Sequence, residues 1–333
     1  MRALLLQNVK EPVTLQSRGD VQPSPGEVVV RLQAAALNRR DYWITQGMYP
    51  GVRTPVVLGS DGAGVVSRLG KGASENWLNQ EVVINPGIGW GDDVRVQSEG
   101  FEILGMPRDG TFADETAVPA DLLHPRPTHL DWQQSAALPL AGLTAYRALM
   151  VQGELKAGET VLVTGIGGGV ATMLLRFAVA VGAEVIVTSS DASKRERALQ
   201  LGAVGALDYT DSEWVKQCRS LHKAPSLIID SAGGPDYGSL LELVKSGGRI
   251  VNYGCTAGAP PQLDLIRLFW KQIHIVGSTM GSPDDFASML ELVHRHQIEP
   301  VIDQVFPLEA GDSALKRMAN SDQFGKIVLD IQS

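Results

Sequence analysis

The feature that most constrains the fold is a glycine-rich turn, Thr160-Val-Leu-Val-Thr-Gly165-Ile-Gly-Gly168-Gly-Val-Ala171, which follows a short apolar run and opens a helical pattern. A chain leaving a buried strand for a helix over a bound diphosphate needs three things. One glycine bends the turn, another lets the phosphates approach the main chain, and a small residue sits where helix meets strand. Gly165, Gly168 and Ala171 fill these places, with Gly169 and Val170 at the helix opening. Free N–H groups and the helix dipole would then face the anion. A strict Gly-x-Gly-x-x-Gly is absent, so a tight strand–helix connection without a ligand is the alternative reading.

The surroundings favour a nucleotide fold. Short runs at 160–164, 184–188, 206–209, 227–230, 250–253 and 274–277 are rich in β-branched or apolar residues. Helical patterns lie between most of them, as where Val170, Leu174, Leu175, Ala178 and Val181 share one face. This alternation predicts an α/β doubly wound parallel sheet covered on both sides. The first third is β-rich instead, with runs at 28–32, 56–58, 64–69 and 82–85 between Gly and Pro signals. Pro119, Pro125 and Pro127 suggest a first boundary. After Ser282, a helix at 284–296 and strands at 301–306 and 326–331 are too few for a third domain. They are expected to complete the first sheet, giving a discontinuous catalytic domain of 1–124 and 283–333 and a nucleotide domain of 125–282.

Composition narrows the partners. The 333 residues carry a net charge of −8, which disfavours a nucleic-acid backbone. The most apolar stretch, 170–183, contains Arg176 and is shorter than a membrane span, and the N-terminus lacks a signal-peptide run. Cys218 and Cys255 suggest no disulfide framework, so a cytoplasmic protein is expected.

The nucleotide type is read at the end of the second strand of the fold. NAD enzymes place a carboxylate there for the ribose 2′-hydroxyl. Here Ser189 and Ser190 follow the strand, with Lys194 and Arg195 beyond, a set suited to a 2′-phosphate. Asp191 is the counter-signal, with a helix cap as its other reading, and Lys194 and Arg195 also fit a solvated helix face. NADP(H) is therefore expected over NAD.

Ordered matches along nearly the whole chain carry a resemblance. They include Ala36-Leu-Asn38-Arg-Arg-Asp41-Tyr-Trp, Leu58-Gly-Ser60-Asp61-Gly-Ala-Gly64, Ala136-Ala-Leu-Pro139-Leu-Ala-Gly-Leu-Thr144, Gly247-Gly-Arg-Ile-Val-Asn-Tyr-Gly254, Val276-Gly-Ser-Thr-Met-Gly281 and Phe324-Gly-Lys326-Ile-Val-Leu. The chain resembles the medium-chain dehydrogenase/reductase superfamily, in its zinc-free quinone oxidoreductase-like (zeta-crystallin-like) branch. The resemblance implies a GroES-like β-rich catalytic domain beside a Rossmann domain, with the active site in the cleft between them. Zinc members place a Cys three residues before an Asp and a His before a Glu. Here those places read Asn38 with Asp41, and Ser60 with Asp61. The structural-zinc cysteines are missing from 85–104. Amide and hydroxyl oxygens hold zinc poorly, so no zinc is expected. His124, His129, His222, His274, His294 and His296 show no ligand spacing.

Hydride transfer without a metal needs orientation and hydrogen-bond donors, and conjugate reduction suits such a site because the enolate spreads its charge. The expected activity is NADPH-dependent reduction of a quinone, enone or related activated carbonyl. A non-catalytic NADPH-binding protein of zeta-crystallin type and a zinc-type alcohol dehydrogenase are the alternatives. Matched positions nominate Asn38, Asp41, Tyr42, Tyr49 and Thr144 for the catalytic site. Ion pairing of Asp41 with Arg39 or Arg40, aromatic packing and helix capping are their structural alternatives. For the cofactor they nominate Ser189, Ser190, Lys194 and Tyr209 at the 2′-phosphate, then Ser231, Tyr253, Gly254 and Ser278 beyond later strands, and Lys326 reaching across. A homodimer through the edge strand at 273–277 is also expected.

Overall fold

The computed structural model describes residues 1–221 and 224–332. They divide into two units, Met1–Ala141 with the residues from Gly281 onward, and Gly142–Met280.

In the first unit one sheet runs in the order Leu123–Pro125, Glu81–Ile84, Asp61–Leu69, Glu27–Ala36, Lys326–Asp330 and Ile302–Pro307, with Glu115–Pro119 also paired to Glu27–Ala36. The tail strand lies antiparallel to Glu27–Ala36, with Val328 opposite Ala36, so residues from both ends of the chain build one sheet. Register shifts at Val29/Val30 and Leu32/Ala34 bend the long strand Glu27–Ala36. Its core gathers Leu4, Leu6, Leu32, Ile84, Phe112 and Leu329, all essentially inaccessible to solvent. Strands Arg2–Leu6 and Thr14–Ser17 at the N-terminus, which the sequence pattern did not signal, pair beside Val56–Val57.

The boundary departs from expectation. Rather than starting a linker near 124, Leu123–Pro125 pairs with Glu81–Ile84, and Arg126 binds Glu81 and lies over the Trp132 ring. Asp131 then caps the helix Trp132–Ala137, which packs on the central strands of the same sheet. The prolines end strands and set turns there; they do not separate domains.

The second unit contains six parallel strands in the order Gly205–Leu207, Glu184–Thr188, Thr160–Val163, Leu227–Asp230, Arg249–Asn252 and His274–Gly277. This is the Rossmann order, with the chain reversing direction across the sheet next to Thr160–Val163. All four residues of that central strand are buried, which explains its continuous apolar run. His274–Gly277 is an edge strand whose outer side is left unpaired. Among the described residues no helix is long and apolar enough to cross a membrane.

Close strand approach makes Gly64 a sensitive point, because a Cβ there would stand 2.2 Å from the Arg31 carbonyl oxygen. Backbone cannot yield as a side-chain tip does. Gly64→Ala should destabilise the first unit by about 3 kcal/mol, the upper part of the usual overpacking range. Urea unfolding indistinguishable from wild type would contradict this close packing.

Candidate functional site

The glycine-rich turn joins the strand Thr160–Val163 to the helix Gly169–Ala180, the strand–turn–helix order read from the sequence. Gly165 and Gly167 take positive φ of 65° and 140°, conformations costly for side chains. The Gly165 and Ile166 amides donate to the Thr188 hydroxyl and carbonyl at 3.2 and 2.8 Å, pinning the bend to the neighbouring strand. Gly168 caps the helix Gly169–Ala180 in ordinary extended geometry, φ −75° and ψ 158°. A Cβ on Gly165 or Gly168 would meet nothing within 4 Å, so the space beside these amides is open. Gly169 and Val170 form the first turn, half-buried at the helix entrance.

At the end of Glu184–Thr188 the nominated hydroxyls meet: the Tyr209 hydroxyl lies 3.4 Å from the Ser190 hydroxyl. Ser189 is buried and accepts on its carbonyl from Arg195 at 2.6 Å, while Arg195 also binds Asp208 at 3.1 Å. Asp191 acts as the cap of Ala192–Gln200, one carboxylate oxygen accepting from the Ser193 amide and hydroxyl and the Lys194 amide. These bonds, led by the Ser193 hydroxyl, hold its carboxyl below the usual range. Lys194 lies half-buried in the same first turn.

A polar lattice that sequence reasoning missed ties the strand ends together. Thr164 donates to the buried Asp230 at 2.6 Å, whose other oxygen accepts from the Gly233 amide and the Asn252 side chain. The Tyr237 hydroxyl donates to Asn252 at 2.6 Å. Its only advance signal was the acidic ending of the run Leu-Ile-Ile-Asp230. Burial pushes the Tyr253 phenol up to about 12, with the nearby Asp230 charge adding to the shift against a bond to Ser231. Gly254 passes so near Ser231 that a Cβ would be 3.1 Å from the Ser231 carbonyl oxygen. The Ser278 hydroxyl is buried at the last strand's end without a hydrogen-bond partner among the described residues.

In the first unit, Asn38 precedes the short helix Arg39–Thr45, and Asp41 accepts from the Asn38 amide at 2.8 Å. The Asn38 side chain turns elsewhere. Its nitrogen donates to Asp61 at 2.9 Å and its oxygen accepts from Lys326 Nζ at 2.7 Å. Lys326 Nζ also donates to Asp61 at 2.7 Å, and the second Asp61 oxygen accepts from the Leu140 amide at 2.8 Å. Lys326 is 3% exposed and Asp61 0%, so the ammonium expected to reach a nucleotide is instead enclosed in an ion pair within its own unit. Desolvation alone would make that burial costly, and the paired carboxylate offsets it.

Arg40 donates to the Ser60 hydroxyl and the Leu104 carbonyl at 2.8 and 2.9 Å, with its guanidinium 5.0 Å from the Tyr49 ring centroid. Tyr49 thus serves as a face for Arg40, and Tyr42 packs on the apolar core and on Trp43. Both rings make the contacts expected of their packing alternative. Thr144 lies buried in the helix Pro139–Tyr146 at the start of the second unit. Full burial pushes the Asp41 carboxyl up to about 6; the Arg40 and Lys326 charges and the Asn38 bond pull against that shift, and Asp61 adds to it.

Among the histidines, His124 packs on Phe286, and His129 bonds the Ile298 carbonyl with its ring tilted 6.5 Å from that of His294. His274 lies exposed on the edge strand, His296 ends the helix Pro283–His296, and His222 lies outside the described residues. Among the described residues no three of His, Cys, Asp and Glu gather as a metal-holding group. The loop at 86–104 is organised by a Trp90–Phe101 edge-to-face pair at 5.3 Å and a Ser98 hydroxyl bond to the Gly89 carbonyl.

Residues 24–128 match the family described as alcohol dehydrogenase GroES-like domain, and residues 169–295 the family described as zinc-binding dehydrogenase. A zinc-type alcohol dehydrogenase-like protein of Leptosphaeria maculans is 38% identical, over 96% of this chain and 95% of that protein. An acryloyl-coenzyme A reductase of Sulfurisphaera tokodaii is 28% identical over 99% of both chains. The crystal structure of an NAD-dependent alcohol dehydrogenase superposes with a TM-score of 0.94 at 34% identity, covering 99% of this chain and 100% of that one.

The raised Asp41 value has a pH consequence. The folded state favours the protonated carboxyl, so that stability is fully present below the unfolded value near 3.8 and is lost as pH rises through about 6. Asp41→Asn stays neutral throughout. Its stability relative to wild type should therefore rise between pH 4 and 7, by up to about 3 kcal/mol. Chemical denaturation showing a constant difference across that window would overturn the assignment.

Proposed function

The chain belongs to the medium-chain dehydrogenase/reductase superfamily, and from that premise we propose that it transfers hydride from NADPH to a quinone, enone or related activated carbonyl without zinc. The observation that carries the reading is the open glycine bend, where the missing side chains of Gly165 and Gly168 leave unfilled space at the entrance of the helix Gly169–Ala180. A diphosphate fits there because the helix end supplies unpaired donors and a positive dipole. Ser190, Tyr209 and Lys194, with the Ser189 end of the strand, form the cradle for the 2′-phosphate. Asp191 is committed to capping its helix, which favours NADPH over NADH.

Bound NADPH supplies the hydride. With an enone acceptor the hydride would go to the β-carbon and the α-carbon would take a proton from solvent. The full-length similarity to an acryloyl-coenzyme A reductase supports this acceptor class, since an enoyl thioester is an activated carbonyl of the same kind. The buried, unpartnered Ser278 hydroxyl and the neutral Tyr253 phenol at the sheet's carboxyl edge supply hydrogen bonds for positioning the nucleotide.

We propose also that a second copy of this chain covers the edge of the Rossmann sheet. The unpaired strand His274–Gly277 lies in the same unit as Ile266, Phe269 and Trp270, which are 73, 64 and 79% exposed on the helix Leu265–Trp270. An uncovered edge and an exposed apolar surface each promote aggregation, and two-fold pairing of identical edge strands would satisfy the open hydrogen-bonding groups. Light scattering should give twice the chain mass, and Trp270→Glu should shift it towards the monomer. A wild-type monomer at micromolar concentration would refute the pairing.

Gly168→Ala isolates the nucleotide reading, because the backbone there suits alanine and the added methyl touches no protein atom. Its melting temperature should match wild type while its NADPH Kd rises about tenfold or more, each decade being 1.4 kcal/mol. The joint change Ser190→Ala with Lys194→Ala should weaken NADPH and leave NADH unchanged. NADPH oxidation should appear with an enone and quinone panel, whereas turnover confined to zinc-dependent alcohol oxidation would sink the proposal.

A further inference from the structure

The first unit contradicts the metal chemistry carried in its relatives' names, and it does so through its own cations. Asn38 and Ser60 stand where the zinc members of the superfamily carry their cysteine and histidine ligands, and Asp61 follows Ser60. None of these oxygen groups is poised for a metal. The Asn38 oxygen and one Asp61 oxygen both accept from Lys326 Nζ, at 2.7 Å each. The Asn38 nitrogen faces Asp61, and the remaining Asp61 oxygen faces the Leu140 amide. Ser60 accepts from Arg40 at 2.8 Å and donates to the Leu104 carbonyl at 2.7 Å.

We infer that Lys326 and Arg40 are resident cations that consume the Asn38, Ser60 and Asp61 side chains, so that this chain excludes a metal from that place and neutralises it internally. The inference rests on the zinc-free part of the proposed function and is independent of the nucleotide and acceptor. Three physical reasons support it. Zinc strongly prefers sulfur and imidazole, and this set offers an amide, a hydroxyl and one carboxylate. Entry of a dication would bring it against two buried positive groups with little water to screen them. Displacing Lys326 would also strand its ammonium, 3% exposed, away from its only acceptors among the described residues.

The chain's ends make the cation part of the fold. Lys326 lies 265 residues from Asp61 in sequence, at the start of the strand that completes the sheet. Its side chain therefore both neutralises the site and fastens the tail strand to the front of the unit.

The test uses the full-length protein purified without added metal. Elemental analysis should find substoichiometric zinc, and neither a chelator nor excess Zn2+ should move the melting temperature. Co2+ should give no ligand-field absorption band. Lys326→Met should lower the melting temperature by about 5–10 °C because it leaves Asp61 charged and unpaired. Asp61→Asn in the Lys326→Met background should recover part of that loss, the non-additivity expected of a contacting pair. Should Lys326→Met fail to fold, Asp61→Asn alone and the wild-type metal measurements still decide the matter. Stoichiometric zinc, a chelator-induced drop in melting temperature, or fully additive effects of the two substitutions would each overturn the inference. NADPH oxidation by zinc-free protein is scored separately, so loss of the enone-reductase reading would leave this result standing.

Discussion

A lysine and an aspartate, both removed from water, join the two ends of the chain inside one sheet. Neither is stable in that position alone, because each isolated charge would face a large desolvation cost. The arrangement requires Asp61 to accept from Lys326, Asn38 and the Leu140 amide together, so several distant segments must be in place before the charge is satisfied. The discontinuity of the first unit and the chemistry of its candidate site are thus one constraint. A tail strand that paired out of register would turn Lys326 to the other face and leave Asp61 uncompensated.

Much of this architecture was legible in the sequence, for physical reasons that differ by region. Rossmann strands are buried on both faces, so Thr160–Val163 and Leu227–Asp230 announce themselves as uninterrupted apolar runs. The glycine bend is legible because positive φ at Gly165 and Gly167 restricts the residues tolerated. The first unit is harder to read: Thr14–Ser17 is wholly exposed, and a strand with no buried face has no alternation to detect. The proline-rich stretch misled for a related reason. Prolines mark where local structure changes, but the pairing of Leu123–Pro125 with a strand some forty residues earlier belongs to tertiary structure.

The candidate site shows the same division between local and distant information. Asp191 capping a helix was visible as an alternative, since a cap involves only the next few residues. Lys326 was read as reaching for a nucleotide, because nothing near Phe324-Gly-Lys326 in sequence discloses its partners. Those partners are Asn38 and Asp61, and only the paired sheet brings the three together. For Tyr42 and Tyr49 the ring contacts with the core and with Arg40 are likewise decided by packing that the sequence around them does not disclose.

Both units leave some buried polar atoms without a partner among the described residues, but they differ in how their candidate sites are built. Around Asn38 and Asp61 the Lys326 ammonium and the Asp61 carboxylate satisfy one another, although Asp41 Oδ1 and Arg40 Nε close by are buried without a partner among the described residues. Around Gly165–Gly168 the main chain leaves open space beside a helix entrance, and the Ser278 hydroxyl is buried without an acceptor or donor among the described residues. Buried polar groups are costly unless a partner arrives. In the proposed reading a nucleotide adds the missing partners at the Rossmann strand ends, while the Asp61 carboxylate already has its own in Lys326, Asn38 and the Leu140 amide.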